Sequence, residues 1–244
     1  MSGALWVTDL DSGEQQRLLP DFLIEGYSVS PDGTQLAFTP VPDGGPPAIW
    51  VAALDGRSPP RRLPEVRARG ALFGPDGRLY FVEDQVLYRA NPDGSGKERM
   101  SGEPIRVLYD ISPDGKWAAG WTPGQAVAFY PLDGGPSVEL CPSCGTIGAE
   151  NRGVTPPVVR WAQTGRYIYL HSAWTTRETY AVPLEEGRML PALPPGGIRT
   201  PEDVVNLPGA RRIGQLRAFP GDDPSVYVFM RATMQRNIFR VAVR

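Results

Sequence analysis

Cys141-Pro142-Ser143-Cys144 places two soft ligands three residues apart. A C-x-x-C of this kind can be two free thiols in a turn, a short-loop disulfide outside a reducing compartment, or half of a zinc site. Zinc needs four ligands, and the chain has no second C-x-x-C and one histidine. A metal site would therefore draw on Cys141, Cys144, His171 and a carboxylate such as Glu150. A thioredoxin-type reading lacks the βαβ context it needs. His171 closes the stretch Tyr-Ile-Tyr-Leu-His-Ser and could act as a base, since imidazole titrates near neutrality. The other reading is a strand-end histidine with its hydrogen bonds satisfied. A Ser-His-Asp triad would need a nucleophile elbow, and no G-x-S-x-G exists here. Glu185-Glu186 and Asp222-Asp223 fall at turns and read as solvated carboxylates. No Walker A, dinucleotide or kinase motif occurs, so no cofactor, no metal and no enzymatic activity are expected of this chain.

Ser30-Pro31-Asp32-Gly33 also gathers a hydroxyl, a carboxylate and a glycine at one bend. Its residues suit a turn: Pro31 fixes φ, Asp32 favours the next position, and Gly33 supplies positive φ at the exit. The surrounding pattern recurs. "YSVSPDGTQLAF" aligns with "ALFGPDGRLYFV", "LYDISPDGKWAAGW" and "VVRWAQTGRYIYLHS", with turn glycines at 33, 77, 115 and 165. A fifth copy, "QLRAFPGDDPSVYVFM", has lost the turn pattern. A second turn family, with glycines at 13, 56, 94, 134 and 187, alternates with the first. The segments between are short and rich in β-branched and aromatic residues, as strands are. No helical period runs through them. Four antiparallel strands, a to d, per roughly 40 residues is the signature of a β-propeller blade.

Composition narrows function by exclusion. The 244 residues carry a formal net charge of -2 and 41% hydrophobic residues. That balance offers no footprint for nucleic acid or an anionic membrane. Arg61-Arg62 and Arg211-Arg212 are the basic doublets, and a solvated loop is the favoured reading of each. No apolar run reaches transmembrane length, and the first ten residues do not form a signal peptide. Neither nucleic-acid binding nor direct membrane insertion is expected.

The S-P-D-G turns, with Leu36-Ala37-Phe38, Gly74-Pro75-Asp76-Gly77 and Ser112-Pro113-Asp114-Gly115-Lys116-Trp117, together with the c–d turns Leu54-Asp55-Gly56 and Leu132-Asp133-Gly134-Gly135, resemble the WD40-like repeat of the TolB propeller. The same repeats occur in propellers of prolyl oligopeptidase-like enzymes and of bacterial receptor-type Ser/Thr kinases. "RATMQRNIFRVAVR" is similar to the end of the kinase-associated propellers. A strict WD40 domain is excluded, because one histidine cannot repeat that family's His-Asp-Trp network. The resemblance implies an all-β fold and a protein or peptide partner. It also implies an alternative role as the accessory propeller of a peptidase or kinase whose catalytic domain is not in this chain. A receptor-type parent would place it outside the cytoplasm.

The expected architecture is one β-propeller domain over 1–244, with blades at about 24–63, 68–101, 105–140, 155–193 and 214–244. Residues 4–20 supply strands of a further or closing blade, and the expectation is a partial or irregular ring of five to six blades, incomplete at the N-terminus if the chain is the C-terminal portion of a longer propeller whose first strands lie upstream. In such blades the a–b and c–d turns share one face, and the b–c and d–a connections share the other. The long segments 141–157 and 194–213 read as d–a loops and mark the second face as the binding face. That reading gathers Trp121, Trp174, Arg152, Arg177, Arg199 and Arg231, of the side-chain types most enriched at binding hot spots. Trp6, Trp50, Trp117 and Trp161 lie on strands and are expected in the core between blades.

Overall fold

The computed structural model describes residues 3–9, 11–42, 44–142, 157–171, 178–214, 218–221 and 223–229. The chain folds into radially stacked four-stranded antiparallel sheets, an all-β propeller. The first blade is β3 (Ile24–Val29), β4 (Gln35–Pro40), β5 (Trp50–Ala53) and β6 (Arg61–Arg62). The second is β7 (Ala71–Phe73), β8 (Leu79–Glu83), β9 (Val86–Ala90) and β10 (Glu98–Arg99). The third is β11 (Val107–Ile111), β12 (Trp117–Trp121), β13 (Val127–Pro131) and β14 (Val138–Cys141). The fourth is β15 (Val158–Trp161), β16 (Tyr167–His171), β17 (Thr179–Pro183) and β18 (Arg211–Ile213). A two-stranded sheet stands at each end: β1 (Leu5–Thr8) with β2 (Gln15–Leu18), and β19 (Ala218–Pro220) with β20 (Tyr227–Phe229). Among the described residues no helix is long and apolar enough to cross a membrane.

The a–b corners are built by local hydrogen bonds. Ser30 Oγ donates to Asp32 Oδ1 at 2.5 Å and accepts the Gln35 N–H at 2.9 Å. Ser112 repeats this with Asp114 at 2.6 Å and Trp117 at 2.9 Å. Each hydroxyl thus joins the turn to the start of strand b. The Ser30 hydroxyl and the Thr34 N–H hold the Asp32 carboxyl below its ordinary range. Gly33 sits at φ +70°, where L side chains are strained. The fifth copy, degenerate in sequence, keeps part of the corner: the Gly221 N–H reaches Val226 O at 2.9 Å and Asp223 Oδ1 accepts the Ser225 N–H at 2.8 Å. These match the Ser30–Gln35 and Thr34–Asp32 bonds of the first blade.

The second blade solves its corner differently. Its a–b turn is one residue shorter, pairing Phe73 with Leu79 where the first blade pairs Val29 with Leu36. Glycine replaces the serine, and the Tyr80 hydroxyl instead donates to Asp76 Oδ2 at 3.1 Å. The tyrosine ring occupies the space a side chain at 74 would need, 2.4 Å from the position of a Cβ.

The core lies between blades. Leu63, Ala71, Leu79 and Phe81 pack the first junction; Tyr80, Ile105, Ile111 and Ala118 the second; Phe129, Leu140, Trp161 and Ile168 the third. Trp161 is buried, with its indole N–H on Met189 O at 2.8 Å, and Trp50 and Trp117 are half-buried. Trp6 departs from expectation: it is 56% exposed.

The fourth blade corrects the sequence reading. Its d strand is not within 188–193 but is β18, at Arg211–Ile213, pairing Ala181 with Arg211 and Thr179 with Ile213. Segment 194–213 is therefore not a d–a loop. It belongs to a long c–d insertion, ending in the d strand itself. The insertion crosses to the outer edge of the third blade, where the Ile198 N–H bonds Leu140 O at 2.8 Å. It then forms the short helix α1 (Pro201–Val205), whose Thr200 and Asp203 make a capping box. Ile198, Val204 and Leu207 bury into the core between the third and fourth blades.

The fit of Tyr80 against Gly74 predicts that Gly74→Ser destabilises by ~1–3 kcal/mol through overpacking. In a Tyr80→Leu background the same substitution should cost less than half as much in urea denaturation. Equal costs in both backgrounds would show that the ring does not set the choice of glycine.

Candidate functional site

The innermost strand of each blade has an edge with no neighbouring strand, so alternate N–H groups face the ring interior. Buried and unpaired, such a group costs about 1–3 kcal/mol. The position two residues before each a–b turn holds Ser28, Leu72, Asp110 and Arg160 in successive blades, and Ser28 and Asp110 manage this edge. Ser28 Oγ accepts the N–H of Phe73 in the next blade at 3.0 Å. Asp110 Oδ2 accepts the N–H of Trp161 in the next blade at 2.8 Å. Leu72 cannot accept, and the Ile111 N–H it would have served is taken by Asp110 Oδ1 at 3.0 Å. Arg160 cannot accept either, but the corresponding residue of the next repeat is Pro220, which has no N–H. Asp110 thus holds two backbone donors, with the Arg160 guanidinium 3.8 Å away. Burial pushes its carboxyl up to about 6, against the opposing pull of Arg160 and the two amides.

On this frame, strand b ends on the b–c/d–a face. Pairing register places Trp121 and His171 at the same position of the third and fourth blades, opposite Val127 and Thr179 respectively. The Arg106 guanidinium lies 4.6 Å over the Trp121 ring, and its backbone N–H bonds Trp121 O at 2.7 Å. The Trp121 ring is half-buried, and its indole N–H is the one buried side-chain polar atom among the described residues without a hydrogen-bond partner. His171 Nδ1 is 3.1 Å from Thr179 Oγ1, and Thr179 is fully buried. Beside it the buried Glu178 accepts the Tyr180 hydroxyl at 2.9 Å and pairs with the Arg212 guanidinium. Arg212 is therefore a strand residue in an ion pair rather than part of a solvated loop.

Of the residues expected on this face, Trp121 lies there. Arg199 does not sit in a d–a loop: it is exposed on the outer-rim insertion, its backbone N–H bonded to Asp203 Oδ2 at 2.8 Å. Trp174, Arg152, Arg177, Arg231 and Cys144 lie outside the described residues, as do most of 141–157 and the stretch 230–244. Cys141 is buried and disulfide-bonded. Among the described residues no group of three or more His, Cys, Asp or Glu could hold a metal ion. Sequence reasoning missed Arg106, Asp110 and Glu178. Counting two residues back from each turn finds Asp110; Arg106 and Glu178 flank strands and carry no comparable signal.

No family model matches the chain, and no curated protein sequence does. Solved structures do. TolB from Acinetobacter baumannii superposes with a TM-score of 0.58 at 20% identity, over 74% of this chain and 46% of that one. The fold is that of a TolB-type propeller. A putative TolB from Agrobacterium tumefaciens gives a TM-score of 0.52 at 15% identity, over 76% of this chain and 72% of that one. A chain of a nidogen/laminin complex gives 0.53 at 18% identity, over 74% and 68%. The chain thus spans less than half the length of the Acinetobacter TolB.

In this TolB-type frame the Asp110 carboxyl gives a signed pH dependence. Its pKa is higher folded than unfolded, so its contribution is fully present below about pH 4 and is lost as pH rises through about 6. The loss amounts to ~2–3 kcal/mol. Asp110→Asn keeps an oxygen for the Trp161 N–H and removes the titration. Urea denaturation from pH 3.5 to 7 should show the variant gaining on the parent protein across that window. A constant difference between the two would contradict the assignment.

Proposed function

We propose that the chain is a non-catalytic recognition module that binds a protein or peptide on the b–c/d–a face of its third and fourth blades. The observation that carries this reading is the Arg106–Trp121 stack at the mouth of that face, with a buried indole donor that has no acceptor among the described residues. Arginine over tryptophan offers a large contact area at small ordering cost, and these two residue types dominate binding hot spots. Neighbouring groups favour binding over chemistry. His171 is hydrogen-bonded within its sheet, and the Glu178 carboxylate is committed to Tyr180 and Arg212. A structure of similar fold is that of a nidogen/laminin complex, itself an assembly of proteins.

Panning of a random peptide display library on the immobilised full chain tests the proposal. Enriched peptides should bind the parent protein and lose roughly 10- to 100-fold in affinity to Arg106→Ala or Trp121→Ala, as hot-spot truncation does. Asp55→Ala, on the c–d turn of the opposite face, should leave affinity unchanged. Absence of enrichment, or equal loss with Asp55→Ala, would overturn the reading.

A further inference from the structure

Left-handed backbone is distributed unevenly over the two faces of the ring. Among the described residues of the four whole blades, every residue at positive φ on an a–b or c–d connection is glycine. On the b–c and d–a connections Glu65, Asp84, Gln85 and Gln125 adopt it instead, at φ +56°, +50°, +64° and +67°. An L side chain is strained in this region. Aspartate tolerates it through local hydrogen bonds of its short side chain, and glutamine lacks that compensation.

The b–c turn of the third blade shows what a glutamine replaces. Thr122-Pro123-Gly124-Gln125-Ala126 closes with the Thr122 N–H on Ala126 O at 2.9 Å and the Gln125 N–H on Thr122 O at 3.1 Å. Gly74-Pro75-Asp76-Gly77-Arg78 closes in the same way at 2.8 and 3.0 Å, and Asn91-Pro92-Asp93-Gly94-Ser95 at 2.9 and 2.8 Å. In both of these the left-handed position is glycine. The third blade has its glycine one place early and a glutamine where the backbone favours glycine. On the second blade, Asp84-Gln85 is a two-residue hairpin turn with positive φ at both places, for which Asn-Gly is the favoured pair. Gln85 and Gln125 are exposed, and neither side chain has a hydrogen-bond partner among the described residues.

These two glutamines flank Arg106. Gln85 O accepts the Ile105 N–H at 2.9 Å, and the Arg106 N–H bonds the carbonyl of Trp121, which leads into the turn that holds Gln125. Arg106 is exposed. Among the described residues its guanidinium stacks on Trp121 and takes part in no ion pair and no side-chain hydrogen bond. Nearby carboxylates are occupied: Glu83 pairs with Lys97, and Glu103 accepts the Ser137 hydroxyl. Asp84, exposed on the turn of Gln85, makes no ion pair among the described residues. A planar guanidinium fixed by stacking, with its fork of donors unused, is matched by a carboxylate, which accepts two parallel N–H bonds. A side-chain amide with no partner is matched by the N–H and C=O groups of a peptide main chain.

We propose that the peptide bound on this face is acidic: an Asp or Glu carboxylate of the peptide pairs with the Arg106 guanidinium, and Gln85 and Gln125 hold main-chain groups of the peptide to either side. This rests on the reading of the face as a peptide-binding site. It accounts for glutamine at two positions where glycine would relieve strain, since contacts made for binding are commonly held at a cost in stability.

The test uses the full chain and peptides enriched on it from a random display library. Those peptides should carry an Asp or Glu whose change to Asn or Gln weakens binding to the parent protein by about 10-fold or more. The same change should weaken binding to Arg106→Gln by less than about 2-fold, because the partner charge is gone. Gln125→Gly separates contact from strain: it should raise Tm by about 2 °C or more and weaken the peptides by about 3- to 10-fold. Enriched peptides that need Arg106 but lose nothing with the amide change overturn the carboxylate assignment and leave peptide binding on this face intact. A raised Tm with unchanged affinity overturns the role of Gln125. Absence of enrichment overturns peptide binding itself, and this proposal with it.

Discussion

Everything in this propeller depends on what happens to the backbone N–H groups on the inner edge of each blade. A four-stranded sheet leaves one edge facing the ring interior, and the N–H groups there need acceptors. The chain answers with a column of side chains two residues before each a–b turn. Ser28 and Asp110 reach across to Phe73 and Trp161 of the following blades. Where the column holds a residue that cannot accept, the need is met elsewhere or removed: Asp110 covers Ile111, and Pro220 has no N–H to satisfy. The same bonds that satisfy the edge fix blade against blade, so packing between sheets and register along the ring are set together.

A frame held at its centre can vary at its periphery. The third and fourth blades use that freedom most. At the ends of their b strands, equivalent positions carry tryptophan under arginine and histidine against threonine. On the outer rim, the c–d insertion of the fourth blade bonds the edge of β14 through Ile198 and Leu140, blunting a strand that would otherwise invite pairing. The Arg106–Trp121 stack proposed for binding and the edge protection thus occupy the same sector.

The blades were legible because their corners are local. Proline, aspartate and glycine encode a turn within four residues, and the strands follow from the spacing between turns. The fourth blade's d strand was not legible for the opposite reason. Gly187-Arg188-Met189-Leu190 follows a c strand as a d strand would, but Pro191, Pro194 and Pro195 remove the donors a ladder needs. The true partner, Arg211–Ile213, arrives only after an insertion whose packing on Leu140 no local pattern records. Arg199 was misplaced with it. α1 carried a readable signal in Thr200-Pro201-Glu202-Asp203, too short to show a helical period. Of the face itself, Trp121 was found from residue type, whereas its partner Arg106 depends on the fold. Asp110 was hidden because a single aspartate in an apolar strand looks like a solvent-facing residue until the turns are used to align the column. Trp6 was read as core by analogy with Trp50, an analogy that holds only in a complete blade.

Amide hydrogen exchange at Trp161 tests the inner column most directly. Its N–H lies on a sheet edge and bonds the Asp110 carboxylate at 2.8 Å. It should exchange as slowly as the central strands of its blade, and in Asp110→Ala it and the Ile111 amide should exchange at least 10-fold faster while the amides of β16 and β17 stay protected. Unchanged protection at Trp161 in that variant would contradict the claim that the column holds the blades together.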